Sequence, residues 1–356
     1  MQIDQYFQEE EIDNNICRWN LSVYNCKDDV YFRSVYYVKV VIAICVSLLD
    51  SVLIIYRIGI KRRNIITPYG IASIDGLLIF TSLYSYAMIF HSINILKGEY
   101  VENFIVQEFS FQSQYIFLLI AIQIYLTGTL NASPRYQGSK FYYPRPRVAN
   151  IISFVTLIIW LSIEIVGIYF VGNTRNFFYT SSNDDLKMKD SVFHENKEKY
   201  IRWTYVTYHT FSGACLITFI LFFFFGINLT KAAKRSLEDM YRSKKIKSNV
   251  IIPIQIALFK MKWINGACNI IMLSFSCLFA AMAFCEQYIF NIENYISVLS
   301  KILCISMNLI PPALAFIVLL SIVYGEARTD IISVFPSTHF EEDEYQMNYT
   351  RQSQEI

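Results

Sequence analysis

Three acidic side chains lie inside long apolar stretches of the sequence, where a charge is costly to hold. They are Asp50, Asp75 and Glu164. Inside a lipid bilayer such a group faces the interior of a helix bundle or a water-filled cavity, and it is a candidate site for a proton, a cation or a ligand. We expect Asp50 and Asp75, together with Asn308, to form a polar centre that holds a cation or water and changes its occupancy when the protein changes conformation. The alternative is a hydrogen-bonded network with a structural role only.

A second set of polar and aromatic residues falls in the halves of the apolar stretches that we expect on the outer side of the membrane. The set comprises Glu164, His91, His209, Tyr205 and Tyr208. A ligand that enters from outside would meet these side chains first, so they are the candidate ligand-binding residues. Tyrosine also collects at membrane–water interfaces without any ligand, which leaves an anchoring role open for the two tyrosines.

The sequence gives no positive case for an enzyme or for a cofactor site. It contains no nucleophile elbow, no phosphate-binding loop and no metal-ligand spacing, and its eight cysteines lack the paired spacing of a zinc site. Cys17 and Cys26 lie in a polar N-terminal segment and form the one plausible disulfide. Lys301 is expected at the outer membrane boundary rather than in a Schiff base with retinal. We therefore expect a protein that is not an enzyme and that has no metal, no cofactor and no nucleic-acid partner.

Seven apolar stretches must position these side chains. The 356-residue chain is 54% hydrophobic, 16% aromatic and only 17% charged, which is typical of a membrane protein. A helix needs about 20 apolar residues to cross a bilayer. Stretches of that length fall near 35–57, 69–95, 104–130, 148–171, 203–229, 263–285 and 302–324. We predict an all-α membrane protein, a seven-transmembrane helix bundle over residues 35–324, with residues 248–262 as an inward helical extension of the sixth span.

The distribution of basic residues predicts the orientation of this bundle. Lysine and arginine are concentrated after the first, third and fifth stretches, and such loops lie on the cytoplasmic side of a membrane. The N-terminus is then outside and the C-terminus inside, so residues 1–34 form an extracellular segment and residues 325–356 a cytoplasmic tail. Asn20 begins a glycosylation sequon on the outer side, which predicts a glycoprotein of the plasma membrane.

Local sequence adds a resemblance to a known family. The second stretch contains Ile71-Ala72-Ser73-Ile74-Asp75-Gly76-Leu77-Leu78, which resembles the Leu-Ala-x-x-Asp-Leu-Leu signature of rhodopsin-like G-protein-coupled receptors. Upstream, Ser51-Val52-Leu53-Ile54-Ile55 is similar to the signature of the first helix in that family. The resemblance implies that Asp75 matches the intramembrane acid of the family's sodium site.

The third stretch departs from the family at its inner end. Gln123-Ile124-Tyr125 stands where the family has Asp-Arg-Tyr, so the acid and the arginine are missing and only Tyr125 is kept. A charged latch between this position and the sixth helix cannot form. We expect packing and neutral hydrogen bonds to hold the inactive state, with Arg135 of the following loop as an alternative cation.

The seventh stretch carries a degenerate form of another family motif. Asn308-Leu309-Ile310-Pro311-Pro312 resembles the Asn-Pro-x-x-Tyr motif, with Tyr324 as the inner tyrosine. Two consecutive prolines interrupt the backbone hydrogen bonds of a helix and are expected to bend it. Such a bend serves either as a hinge or as a fixed kink that shapes packing.

Topology and resemblance together predict a receptor. It would bind an extracellular small-molecule or peptide ligand, rearrange its helices in the lipid bilayer and signal to a heterotrimeric G protein. The alternative is a seven-helix ion or solute transporter or channel that uses the three intramembrane acids as a path.

Overall fold

The computed structural model describes residues 19, 23–24, 28–67, 70–97, 103–131, 145–183, 190–242, 248–289 and 296–328. Seven long α-helices make up almost all of this part of the chain. They are α1 Asp29–Ile54, α2 Ser73–Lys97, α3 Phe104–Asn131, α4 Pro146–Asn183, α5 Asp190–Arg242, α6 Ser248–Ile289 and α7 Ile296–Arg328. A π-helical turn, Ile55–Ile60, continues α1. A two-residue hairpin of β1 Ile66–Thr67 and β2 Gly70–Ile71 then leads into α2.

In the described part of the chain, seven helices are long and apolar enough to cross a membrane, in agreement with the predicted number of spans. Their membrane-length portions are Asp29–Ile60, Ser73–Lys97, Phe104–Asn131, Pro146–Phe177, Glu195–Lys231, Met261–Phe284 and Val298–Glu326. A helix satisfies its backbone hydrogen bonds internally, and a chain in lipid has no water to satisfy them otherwise. Residues 248–262 are helical and continuous with the sixth span, also as predicted.

Helix α5 begins well before its apolar stretch. Its first turns carry the ion pairs Lys199–Glu195 and Arg202–Glu198, each at 2.7 Å and four residues apart. Pairs at this spacing stabilise a solvated helix by a few tenths of a kcal/mol each. The α5 helix therefore extends past the membrane because its polar turns support themselves.

The helices form a closed ring. Each packs against the next in sequence, α7 packs back against α1, and α3 also contacts α5. Helix α3 is the most enclosed helix. In its 18-residue apolar segment 67% is buried inside the bundle, against 22% in the corresponding segments of α4 and α5.

Small residues permit the closest helix approaches. A Cβ atom added at Gly128 on α3 would lie 2.8 Å from the Cα of Ser73 on α2. At Gly172 on α4 it would lie 2.5 Å from the Cα of Ile105 on α3. Glycine at such positions lets two helix backbones meet, as is common in membrane bundles.

Several predictions fall on residues that the structure does not describe. They concern the Cys17–Cys26 disulfide, the sequon at Asn20 and the role of Arg135. The orientation of the two termini stays a prediction for the same reason. We call the end of the bundle that contains Arg57 the Arg57 end, and we call the opposite half, which contains Lys39, the Lys39 half.

Candidate functional site

The Arg57 end of the bundle contains a buried ionic bridge between three helices. The Nε of Arg57 donates a hydrogen bond to Oδ1 of Asp75 at 2.6 Å, and its Nη1 donates one to Oε1 of Glu326. All three side chains are at most 5% exposed. We call these residues the Arg57 bridge, and they join α1, α2 and α7 at one end of the membrane span.

Each partner in the Arg57 bridge is placed by its helix. Arg57 lies in the π-helical turn that ends α1, on the face that continues the buried residues Asp50 and Leu53. Asp75 lies in the first turn of α2, where the helix dipole favours an acid. Glu326 lies in the last turn of α7. A buried pair of this kind is costly to break, because the remaining partner is left as an uncompensated charge.

Two further cations surround Glu326 at its less enclosed side. The Nζ of Lys61 and the Nη2 of Arg63 each lie 3.4 Å from its Oε2. Both side chains are partly exposed, at 23% and 29%. The charge on Glu326 is therefore shared between one buried arginine and two cations at the membrane edge.

The Lys39 half contains a different buried cation. The Nζ of Lys39 donates a hydrogen bond to Oδ1 of Asn308 at 2.7 Å, and Lys39 is 1% exposed. The amide of Asn308 in turn donates to the carbonyl oxygen of Cys304 at 2.9 Å. This link joins α1 to α7 at a second level of the bundle.

The three residues predicted to form one polar centre lie at three levels. Lys39 and Arg57 are 18 positions apart on α1, which is about 27 Å along a helix. Asn308 binds Lys39 and Asp75 binds Arg57, so these two side chains are far apart. Asp50 lies between them, 0% exposed, and neither carboxylate oxygen has a hydrogen-bond partner among the described residues.

The segment 123–125 of α3 is held by neutral contacts. The amide of Gln123 donates to the carbonyl oxygen and the hydroxyl of Ser153 on α4, at 3.0 and 3.1 Å. Ile124 packs on Gly76 of α2. A Cβ atom added at Gly76 would lie only 2.5 Å from Cγ2 of Ile124. Tyr125 is 2% exposed and stacks on Phe222 of α5 with a centroid distance of 6.0 Å. These contacts are packing contacts and neutral hydrogen bonds, and their role in holding an inactive state stays a prediction.

The proline pair in α7 does not interrupt the helix. Pro311 and Pro312 are buried within Ile296–Arg328, which remains helical on both sides of them. Tyr324 is 47% exposed and meets Phe259 of α6 edge to face, at 6.3 Å between ring centroids. The hinge role predicted for the prolines and the role of Tyr324 as an inner tyrosine stay predictions.

The predicted ligand-binding residues do not gather at one place. His91 is buried against Tyr36 and Phe111, with ring centroids 6.0 and 5.5 Å away. His209 stacks on Tyr205 at 3.9 Å and meets Phe284 of α6 at 5.0 Å. The structure thus brings Tyr205 and His209 together and places His91 in a separate environment.

Glu164 and Tyr208 occupy two further positions. Glu164 is 0% exposed on α4, and its carboxylate oxygens make no hydrogen bond of normal geometry among the described residues. The indole of Trp160, one turn earlier on α4, is a nearby donor, and Glu108 and Cys215 also lie near the carboxylate. Tyr208 is buried and lies edge to face with Phe279 of α6, 5.9 Å away. Glu164 is therefore a buried acid between α3, α4 and α5, apart from the aromatic group on α5.

Sequence reasoning missed three buried ionic residues. Lys39 lies inside the first apolar stretch, and a lysine at such a position is the sequence signal for a buried charge. Arg57 is the last residue of the first apolar stretch, and Glu326 lies in the predicted tail, two residues past the seventh stretch, so neither side chain was predicted to be buried. The ion pair of Arg175 with Glu108, at 2.7 Å, was also missed, and it joins α4 to α3 beside Tyr200 of α5.

Comparisons with known proteins leave the family open. No family model matches the sequence, and no similar curated protein and no similar solved structure was found. What the chain itself establishes is a helical fold with seven apolar helices of membrane-spanning length, as in a multi-pass membrane protein.

Proposed function

We propose that this protein is a receptor that binds an extracellular chemical ligand and signals to a cytoplasmic G protein by rearranging its helices. The observation that carries the proposal is the Arg57 bridge, together with the resemblance of the Asp75 segment to rhodopsin-like receptors. In this assignment the Arg57 end is cytoplasmic, in agreement with the basic residues that follow α1.

The Arg57 bridge would hold the protein in a closed state, in which the ends of α1, α2 and α7 are tied together. It ties the ends of α1, α2 and α7 by ionic contacts among side chains that are at most 5% exposed. Switching proteins commonly change state by repacking such interfaces rather than by gradual deformation. Release of Glu326 from Arg57 would free the end of α7 and uncover the surfaces that face it.

The α3 contacts favour the same mechanism. Gln123 and Tyr125 bind α4 and α5 through a neutral hydrogen bond and a ring stack. Neither contact supplies a charged latch. Among the described residues the buried ion pairs between helices are the Arg57 bridge and Arg175–Glu108, and of these the Arg57 bridge is the one that holds α7. A ligand would shift the population of the closed state only if it bound the open state more tightly.

The experiment is nucleotide exchange on purified G proteins. Full-length protein in lipid nanodiscs is combined with each class of heterotrimeric G protein and with libraries of small molecules and peptides. The proposal predicts that at least one ligand raises the exchange rate on one G-protein class. No change in exchange under any combination would contradict the receptor assignment.

A transporter is the second candidate, and one observation favours it. Asp50 and Glu164 are fully buried carboxyl groups that make no hydrogen bond of normal geometry among the described residues. Buried acids of this kind serve as proton relays in pumps and transporters. Ion or solute flux into liposomes that is lost in Asp50→Asn or Glu164→Gln would support transport.

A further inference from the structure

Three buried side chains with hydrogen-bond donors lie in the Lys39 half of the bundle, those of Lys39, His91 and Tyr115. The only hydrogen bond that Lys39 makes within the described residues is the one to Asn308 Oδ1, and its Nζ lies 5.3 Å from the centroid of the Tyr36 ring. No carboxylate is in ion-pair contact with it in that part of the chain, and the titratable groups near it are the Cys304 thiol and the His91 imidazole. A lysine that is 1% exposed thus has neutral partners only.

Two other donors beside Lys39 have no partner among the described residues. They are Nε2 of His91 on α2 and the hydroxyl of Tyr115 on α3, and both side chains are 1% exposed. The His91 ring lies 6.0 Å from the Tyr36 ring, whose centroid is 5.3 Å from Lys39 Nζ. Phe111 packs against both His91 and Tyr115, with ring centroids 5.5 and 5.4 Å away. The groups therefore belong to one region where α1, α2, α3 and α7 meet.

The environment of each donor limits what can satisfy it. When His91 Nδ1 accepts the hydrogen of the Ser110 hydroxyl, 3.5 Å away, the ring hydrogen is on Nε2, which is then a donor without a partner among the described residues. The Tyr115 ring is fixed by Phe275 and Phe279, with centroids 5.3 and 5.2 Å away. Tyr36, by contrast, already donates its hydroxyl hydrogen to the carbonyl of Trp19 at 2.8 Å.

We propose that Lys39, His91 and Tyr115 form a buried site for one monovalent anion. A buried ammonium is strongly disfavoured without a compensating negative charge, and unmatched buried donors add to the cost. A single anion accepts hydrogen bonds from all three groups and balances the one positive charge. Chloride and the carboxylate of a small organic molecule share this chemistry, whereas a dianion would carry one charge too many.

The position of the site indicates its route of access. Lys39 lies 10 residues after the start of α1 at Asp29, about 15 Å along the helix. Trp19, which is 5% exposed, covers this end through its contacts with Tyr36 and Phe111. An anion would reach Lys39 from the side of the membrane on which Trp19 lies, and it would be enclosed once bound.

The test is the thermal stability of the full-length protein in detergent micelles during anion titration. Sodium chloride replaces sodium sulfate at constant ionic strength, since the site does not fit a dianion, and formate and acetate are titrated in separate chloride-free series. The site predicts a saturable rise in unfolding temperature of about 2 to 4 °C. A response to chloride identifies the inorganic ion, and a response to formate or acetate alone identifies a carboxylate.

Variants assign the response to the three donors. Lys39→Met keeps the length of the side chain and should abolish the response. Lys301→Met, which removes a lysine that is 30% exposed and paired with Asp28, should leave it intact. His91→Phe and Tyr115→Phe each remove one donor and should weaken the apparent anion affinity about 5- to 10-fold. These two variants keep the test open if Lys39→Met fails to fold.

Three results would overturn the proposal. One is the absence of a saturable response of the wild type to chloride, formate and acetate. Another is an unchanged response in Lys39→Met or in both His91→Phe and Tyr115→Phe. The third is a response that appears only in Cys304→Ser, which would show that the Cys304 thiolate is the native counter-charge of Lys39.

Discussion

Arg57 and Glu326 are 269 residues apart in the sequence, yet the guanidinium of Arg57 donates a hydrogen bond to the carboxylate of Glu326. The same guanidinium binds Asp75 at 2.6 Å. One buried arginine thus connects the first, second and seventh helices. The predictions below follow from this bridge and from the helix contacts around it.

Loss of the arginine should destabilise the folded protein strongly. Arg57→Met leaves two buried carboxylates without their common partner, which costs about 3 to 5 kcal/mol. Arg33→Met is the matched control, because Arg33 and Asp29 form a pair that is about one third exposed, and such pairs contribute about 0 to 1 kcal/mol. Denaturant unfolding in mixed micelles measures both. Equal losses in the two variants would contradict a buried bridge.

Close helix packing predicts a second pair of variants. An added methyl group at Gly128 or Gly172 meets the backbone of the neighbouring helix, and overpacking of this kind costs about 1 to 3 kcal/mol. Gly213→Ala on α5 is the control, since nothing lies within 4 Å of a Cβ atom there. Thermal unfolding should show a loss for Gly128→Ala and Gly172→Ala and none for Gly213→Ala. A similar loss at all three sites would mean that helix approach is not the cause.

The segment 123–125 of α3 offers a third test. Ile124 packs directly on Gly76, so Ile124→Arg should separate α3 from α2, lower stability by about 1 to 3 kcal/mol and raise basal signalling. Ile124→Leu conserves volume and should have a small effect on both quantities. Unfolding temperature and basal nucleotide exchange are the readouts. If Ile124→Arg leaves both unchanged, this position does not hold the closed state.

Replacement of Asp50 distinguishes the receptor from the transporter. In a receptor its carboxyl group has no partner to lose among the described residues, so Asp50→Asn should be neutral or slightly stabilising. In a transporter the same change should abolish proton-linked flux. Unfolding temperature and flux in liposomes, compared with Glu198→Gln on the exposed part of α5, distinguish these outcomes.

The sequence predicted the seven helices but not the pairing of their polar groups. Long apolar stretches have few alternatives to helices in a bilayer, so composition and length were enough for the spans. Asp75 and Asn308 were expected to meet, and each instead binds a cation on α1, Arg57 or Lys39. Which polar groups meet depends on helix rotation and relative height, and these are set by contacts such as Gly128 against Ser73. Such contacts are invisible in the periodicity of a single helix.

Residues at span edges were the hardest to assign. Arg57 ends one apolar stretch and Glu326 follows another, and at such positions a charged residue usually faces water or the lipid head groups. The π-helical turn Ile55–Ile60 and the last turn of α7 instead hold both side chains inside the bundle. Recognising this required the three-dimensional neighbours, because the sequence alone explains both charges as interfacial.

The claim that the Arg57 bridge holds the closed state of a receptor is best tested by basal nucleotide exchange with Glu326→Gln, because this measurement needs no knowledge of the ligand. The variant keeps the size of the side chain and removes the charge that holds α7 to Arg57. Glu198→Gln, which neutralises an acid that is 72% exposed, is the control. We expect Glu326→Gln to raise ligand-free exchange on the cognate G protein several-fold above wild type, and Glu198→Gln to leave it unchanged. Folded Glu326→Gln protein with wild-type exchange on every G-protein class would contradict it.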